Sequence, residues 1–333
     1  MFLMNTPIEI HGVALKNRLV MPPMATAKSD PDGRVTPEII GYYDEKTAGG
    51  YIGLVITEHC FVCPEGKAAK GQMSMSRDSD VDGLAKVVDT IHKNGCKVMA
   101  QINHAGAAAS STVTSLPVLA PSPVQSPKGD SVPQEMTHED LQKVVRDFAA
   151  AARRAKEAGF DGVEIHSAHG YLLNQFYSPL ANHRTDEYGP GSIESRVKLH
   201  LEVIQAVRAA VGSDYLVALR LGAGDYMDGG STAADGAAAA RLFEQAGIDL
   251  LDISGGICGY IRPGVTGQGY FSDLTEAVKS AVSLPVILTG GITEIDAAET
   301  LLEQGKADLI GVGRAMLKDS SWAKNAMLSI KGK

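Results

Sequence analysis

Eight short apolar runs recur along the chain, each preceded by a helix-like stretch and a small turn residue. They are Arg18–Met21, Gly53–Thr57, Lys97–Gln101, Gly162–His166, Tyr215–Arg220, Asp249–Ser254, Pro285–Thr289 and Asp308–Val312. The runs are rich in Val, Ile and Leu and do not alternate with polar residues. A strand reads this way when both of its faces are buried, as in a parallel sheet covered by helices. The segments between them carry helix ends. Thr137-x-x-Asp140 has the form of a capping box, and Leu141, Val144, Val145, Phe148, Ala149 and Ala152 follow the spacing of one buried face. Gly159 stands at the usual C-terminal stop, and Thr293-x-x-Asp296 with Gly305 predicts a further helix of the same kind. Eight such repeats in 333 residues predict an α/β fold, a (β/α)8 TIM barrel, as one domain over residues 1–333. A doubly wound open sheet is the alternative. Ile8–Val13 precedes the first run and predicts a β-hairpin closing the barrel bottom. After the third run, Ala105–Met136 holds Pro117, Pro121, Pro123, Pro127 and Pro133 and is long for a plain connection, which predicts a lid over the barrel mouth.

The net charge of −8 argues against nucleic acid or an anionic membrane surface as partner. No apolar run approaches the roughly 20 residues of a membrane span. Met1-Phe2-Leu3-Met4 meets Asn5 and Pro7 at once, so no signal peptide is expected. The four cysteines, Cys60, Cys63, Cys96 and Cys258, are too sparse for a disulfide framework and predict a reducing, cytoplasmic setting. Cys60-x-x-Cys63 has no second pair and no nearby histidine pair, so no metal site is expected.

Two glycine pairs mark a candidate phosphate site. Thr289-Gly290-Gly291-Ile292 follows the seventh run and Gly311-Val312-Gly313-Arg314 the eighth. Loops after these two strands commonly hold phosphate in such barrels, with backbone N–H groups and a helix N-terminus facing the anion. Arg314 adds a charged donor; each loop taken alone is equally a tight turn with a solvated arginine. No G-x-G-x-x-G opens a βαβ unit, so a Rossmann nicotinamide site is not indicated.

The densest chemistry lies at the end of the fourth run, Glu164-Ile165-His166-Ser167-Ala168-His169-Gly170-Tyr171. It sets two imidazoles and a phenol where α/β barrels build active sites. His-x-x-His can also hold a metal or serve structurally, and a lone tyrosine is commonly core. This motif together with the following LLNQFYSPLANHRTDEYGPGSIESR resembles the signature of the Old Yellow Enzyme family of FMN-dependent ene-reductases, and the resemblance extends from Pro7 to about Trp322. The barrel is similar to that of the 2,4-dienoyl-CoA and 2-enoate reductase branch.

The resemblance implies FMN as cofactor and NADH or NADPH as electron donor. Pro22, Pro23, Met24 and Ala25 match the residues against the isoalloxazine, with His59 near the flavin edge. Gln101 matches the amide on the pyrimidine edge and Arg220 the cation near flavin N1, although a buried arginine is also explained by an ion pair with a barrel carboxylate. Gly290, Gly291, Gly313 and Arg314 would hold the phosphate. His166 and His169 match the donors to the substrate carbonyl, and Tyr171 the acid that protonates the α-carbon after hydride reaches the β-carbon. The implied substrate is a small α,β-unsaturated carbonyl compound, the implied assembly a homo-oligomer. Tyr226, Cys258 and Tyr260, on loops after the fifth and sixth runs, are candidates to line its pocket. Asn182–Asp186 is expected to build the barrel rim and brace the loop that carries Tyr171, without taking part in the chemistry. Longer relatives carry an iron–sulfur cluster beyond the barrel, and no such cysteines are present here.

Four positions depart from the family pattern: Ala25 replaces a cysteine or threonine that adjusts flavin potential, Ala107 an arginine, and His59 a small residue, while Pro190 is an extra turn residue. Two further readings are an amine-oxidising flavoprotein of the same family and a flavin-free phosphate-binding barrel; the latter needs a lysine or paired acids at the mouth, and the strand ends provide no such lysine. A flavin-binding sensor is disfavoured by the presence of acid and donors.

Overall fold

The computed structural model describes residues 2–330. Its centre is a closed ring of eight parallel strands: β1 (Leu19–Met21), β2 (Leu54–Ile56), β3 (Lys97–Asn103), β4 (Gly162–Ser167), β5 (Leu216–Gly224), β6 (Leu250–Gly255), β7 (Val286–Thr289) and β8 (Leu309–Gly311). Each pairs with its sequence neighbours, and pairing of β8 with β1 closes the ring. The open-sheet alternative is thereby excluded. Every strand falls within or directly extends one of the apolar runs. Helices α1 (Pro37–Thr47), α2 (Val81–Lys93), α3 (His138–Glu157), α4 (Lys198–Val211), α5 (Ala233–Gln245), α6 (Ser272–Lys279), α7 (Ile295–Glu303) and α8 (Arg314–Lys318) follow successive strands.

The periodicity of α3 is shifted from the expected one. Leu141, Val144, Phe148 and Ala152 are buried, but Ala151 and Ala155 complete the face, while Val145 and Ala149 sit at its edge. Its capping box forms, with Thr137 and Asp140 each bonding the other's backbone N–H. The box expected at Thr293 and Asp296 does not form. Gln268 Oε1 takes the N–H groups of Thr293 and Glu294 at 2.7 and 2.9 Å, so a distant amide caps α7 in place of a local hydroxyl.

The barrel interior is graded along its axis. Val20, Leu54, Ile56, Met99, Leu216, Ala218, Leu250, Ile287 and Leu309 form an apolar floor. An antiparallel hairpin, Ile8–Ile10 with Val13–Leu15, seals it from below through Ile10 and Leu15. Side chains alternate along a strand, so the residues two positions further on face the same interior one layer higher. In that layer the inward positions turn polar: Gln101, Glu164, Arg220, Asp252 and Thr289, all but Thr289 fully buried. The change of chemistry within the same strands places the reactive region at their C-terminal ends.

The Ala105–Met136 connection folds over that end. It contains two short helical turns, Gly106–Ala108 and Ser111–Thr114, and a two-residue strand pair, Leu119–Ala120 with Gln134–Glu135. Asp130 gathers it internally, accepting from the backbone and hydroxyl groups of Ser111 and Thr112 and from Ser110 Oγ at 2.8–3.1 Å. Arg184 pins its middle and its C-terminal end to the rim, donating to Pro121 O at 3.3 Å and Met136 O at 2.7 Å while paired with Asp186. The rim segment Asn182–Asp186 thus braces the lid, and through Asn182 Nδ2 on Phe176 O at 2.8 Å it also holds the helical turn that follows Tyr171. Among the described residues no helix is long and apolar enough to cross a membrane.

Candidate active site

A cavity of about 580 Å³ opens between the strand ends and the lid. Pro22, Pro23, Met24, Ala25, His59, Gln101, His166, His169, Tyr171, Arg220, Tyr260, Gly290, Gly291, Gly313 and Arg314 all border it. The candidates drawn from dispersed parts of the sequence therefore share one space. Tyr226 and Cys258, expected in the pocket, do not border it. Tyr226 stacks on Phe271 with its hydroxyl on Asp273 at 2.8 Å and Arg262 over its ring. Cys258 turns its thiol toward Gly224 O.

The cavity floor is the polar layer. Gln101 Nε2 donates to Glu164 Oε2 at 2.7 Å, across the paired positions of β3 and β4. Arg220 and Asp252 face each other across β5 and β6, with Nε and Oδ2 3.1 Å apart but not aligned for a hydrogen bond. Arg220 is therefore ion-paired, as expected of a buried arginine in a barrel, and it also faces the cavity. Burial pushes the Glu164 and Asp252 carboxyls up, while Arg220 pulls both down. A fixed guanidinium and an amide facing one cavity are donors suited to a flat, electron-accepting heterocycle.

The phosphate end is built from backbone. Gly291 adopts φ +68°, and a Cβ there would lie 2.5 Å from the Tyr270 ring. At Gly313, which caps α8, a Cβ would meet Met24 Sδ at 2.9 Å. Both glycines are thus required for the chain to run this close to the cavity wall. Arg314 is held by Tyr270 Oη at 3.1 Å. Tyr270 had no signal in the sequence, since it follows a glycine-rich loop with no periodicity.

The reactive triad sits opposite. His166 projects inward from β4 two positions after Glu164, and its ring lies 5.3 Å from that of His169 and 5.1 Å from that of Tyr171. His169 has φ +60°, unusual for a side chain with Cβ and costing on the order of 1 kcal/mol. The turn that holds it is pinned: Asn174 Oδ1 accepts from Gly170 N, and Gln175 Nε2 donates to Gly170 O. These are residues of the segment after the motif, and their amides replace bonds that the sharp turn removes from the strand. His169 Nε2 contacts Ser254 Oγ at 2.7 Å, and Tyr171 Oη contacts His59 Nε2 at 3.0 Å. Burial lowers the basicity of all three imidazoles, His59 to about 4, so they are neutral at pH 7. Burial also pushes the Tyr171 phenol up to about 12, which keeps its proton in place. His59 lies beside Tyr171 and borders the same cavity. The lid residues Ala105, Ala108, Ala109 and Val118 pack together against the Tyr171 ring.

A TIM barrel whose mouth combines two close-packed glycine loops, a buried guanidinium and two neutral histidines beside a phenol is an arrangement suited to a flavin-dependent oxidoreductase. The chain belongs to the NADH:flavin oxidoreductase / NADH oxidase family, which it matches over residues 4–331. It is 38% identical to an NADH oxidase of Thermoanaerobacter brockii over 96% of this chain and 50% of that protein. It is also 38% identical to an NADPH dehydrogenase of Bacillus subtilis, over 96% of this chain and 93% of that one. The chain thus spans about half the length of some curated relatives, including a metal reductase of Desulforamulus reducens, 49% of which is covered. Among solved structures, 2-naphthoyl-CoA reductase superposes with a TM-score of 0.91 at 27% identity, over 98% of this chain and 52% of that one. Morphinone reductase superposes with a TM-score of 0.85 at 25% identity, over 98% and 90%. The family model is that of FMN-linked oxidoreductases, and the relatives matched are named for NADH or NADPH.

Proposed function

We propose that this protein reduces the C=C bond of small α,β-unsaturated carbonyl compounds with electrons from NADH or NADPH. The observation that carries the reading is the meeting of His166, His169 and Tyr171 at ring separations near 5 Å in the cavity that Arg220 and Gln101 floor. The residues present suit FMN: Gly290, Gly291, Gly313 and Arg314 would hold its phosphate, and Gln101 and Arg220 its ring, with Pro23, Met24 and Ala25 along one wall. When bound, FMN supplies the hydride.

The chain's own residues supply the rest. Neutral imidazoles are hydrogen-bond donors that carry no competing charge, so His166 and His169 are suited to hold the substrate oxygen as negative charge grows on it; one such donor is typically worth about 2.7–4 kcal/mol. His169 can donate from Nδ1 only if Nε2 is the acceptor, which assigns Ser254 the role of hydrogen-bond donor at 2.7 Å. Tyr171 holds the proton for the α-carbon on Oη, and His59 Nε2 fixes that oxygen. The lid cluster behind Tyr171 excludes water from its rear face.

The amine-oxidising reading is weaker, because among the described residues Lys128, Arg220, Arg314 and Lys318 line the open space and no Asp or Glu does, Glu164 and Asp252 being engaged with Gln101 and Arg220 in the floor beneath. The charged side chains a protonated amine would meet there are all cations. The unpaired, sparse cysteines support a cytoplasmic setting, and a homo-oligomer belongs to the same reading. The test is the visible spectrum of the purified protein with identification of any released flavin. Bound FMN that bleaches with NAD(P)H and recovers with an enone is the expected result. A colourless protein that does not take up FMN would return the flavin-free phosphate-binding barrel to first place.

A further inference from the structure

The charge bordering the cavity is lopsided. In a chain of net charge −8, the described residues place four cationic side chains there and no Asp or Glu. Three of the four have an evident role. Arg220 is matched by Asp252 from below. Arg314 and Lys318 lie at the glycine cradle, on one short helix. Lys128 is different. It rides on an exposed turn of the lid, and its Nζ reaches into the opposite end of the cavity, donating to His169 O at 2.9 Å and lying 5.3 Å from the centre of the Tyr171 ring. Among the described residues no carboxylate forms an ion pair with it; partial burial lowers its basicity, the Cys258 thiol offsets this in part, and the titratable groups beside it, His59, His166 and His169, are neutral imidazoles. An ammonium has three donors, and one carbonyl uses one of them. The remaining two sit at the mouth, beside the groups assigned to the substrate.

We propose that Lys128 recognises a second, anionic group on the substrate, a carboxylate separate from the carbonyl that His166 and His169 hold. The natural substrate class is then an unsaturated carbonyl compound carrying an acid group a few atoms beyond the reacting C=C. This rests on the ene-reductase reading for the position of the carbonyl. The lid is the element best placed to carry such a contact, since it borders the mouth while the strand ends supply the chemistry. It also gives the lid a residue of its own in the site despite Ala107. The charge draws the acid toward the mouth and holds it against Tyr171, so the effect falls on binding of the charged ligand.

The test compares (E)-6-oxo-4-heptenoate, whose acid is insulated from the C=C by two methylenes, with its methyl ester, the same enone with and without charge, using the FMN-loaded protein. The acid should exceed the ester in kcat/KM by about tenfold or more, as for a charge-assisted hydrogen bond, with the difference in KM. Lys128→Met keeps the apolar stem and should collapse the acid-to-ester ratio to near one; Lys128→Arg should restore it. Wild-type enzyme indifferent to the charge, or a ratio unchanged in Lys128→Met, overturns the proposal. A third probe, an enone phosphate monoester, separates sources of charge: preference for it over the carboxylate overturns the assignment to a carboxylate. A binding arm stands apart from turnover. Thermal shift with 4-hydroxybenzoate should exceed that with methyl 4-hydroxybenzoate, and Lys128→Met should abolish the difference. If no enone is reduced but the binding difference is present and lost in Lys128→Met, the reaction class is wrong and the anion site stands. If enones are reduced and that difference is absent, the reverse holds.

Discussion

Replacing Tyr171 by Phe removes one oxygen and tests the division of labour in the site. Two magnitudes follow from its surroundings. His59 Nε2 loses its partner at 3.0 Å, a hydrogen bond worth about 1 kcal/mol, which in a barrel of this size lowers Tm by about 2 °C. The proton donor is lost outright, and general acids contribute roughly 10²–10⁴-fold. The upper half of that range applies here, because Ala105, Ala108, Ala109 and Val118 pack behind the ring and deny water the vacated position. The assay is stopped-flow absorbance in two phases. Bleaching by NAD(P)H requires no proton from Tyr171 and should change by no more than about twofold, whereas recovery with 2-cyclohexen-1-one should slow by about 10³-fold or more, near 4 kcal/mol at 1.36 kcal/mol per decade. A recovery phase slowed less than about tenfold would refute the reasoning and transfer the acid role to another group, His59 being next in line.

Three further outcomes are expected. Ser254→Ala should weaken binding of 4-nitrophenol, a mimic of the charged intermediate, by about tenfold through loss of the His169 tautomer, and unchanged affinity would show that Ser254 does not set it. Arg184→Met strips the charged donor from Pro121 O and Met136 O and should cost about 2–4 kcal/mol, with faster proteolysis inside Ala105–Met136; an unaltered cleavage rate contradicts the clamp. His200, buried beside Ser167 and Phe243, is held near a pKa of about 3 by burial and then by Arg196. The unfolded chain takes up that proton below about pH 6.5 and the folded one does not, so stability is present above that value and falls by about 1.4 kcal/mol per unit as pH drops toward 3. His200→Leu should flatten the fall in denaturant midpoint between about pH 6 and 4, and an unchanged slope would assign the acid lability to other groups.

What was legible in the sequence was what repeats. The eight runs announce themselves because each strand is buried on both faces, and the strand ends then assign Gln101, His166, Arg220 and the glycine pairs to one mouth. Long-range contacts were not legible. Gln268 displaces the local cap of α7, and nothing in Thr293-x-x-Asp296 signals that a distant amide will do so. Tyr226 and Cys258 stand at suitable distances along the chain, but Phe271, Asp273 and Arg262 draw the tyrosine away. Lys128 and Tyr270 come from irregular segments, where no periodicity reports which way a side chain points. The pairing of His59 with Tyr171 joins residues 112 positions apart. Glu164 stood in the motif, yet its partnership with Gln101 needed the register of β3 on β4.

The lid's bonding decides where a change in its sequence is felt. Its internal order comes from Asp130 and its attachment from a few groups, chiefly Arg184 and Gln175, the latter bonding Ala107 N and Ala105 O. None of the strand residues on the floor is needed to fold it. Residues 105–136 are therefore largely self-ordered, and a change of loop sequence there is felt at the mouth through Lys128 on His169 O and the alanine packing on Tyr171 while the buried strand floor keeps its own bonds.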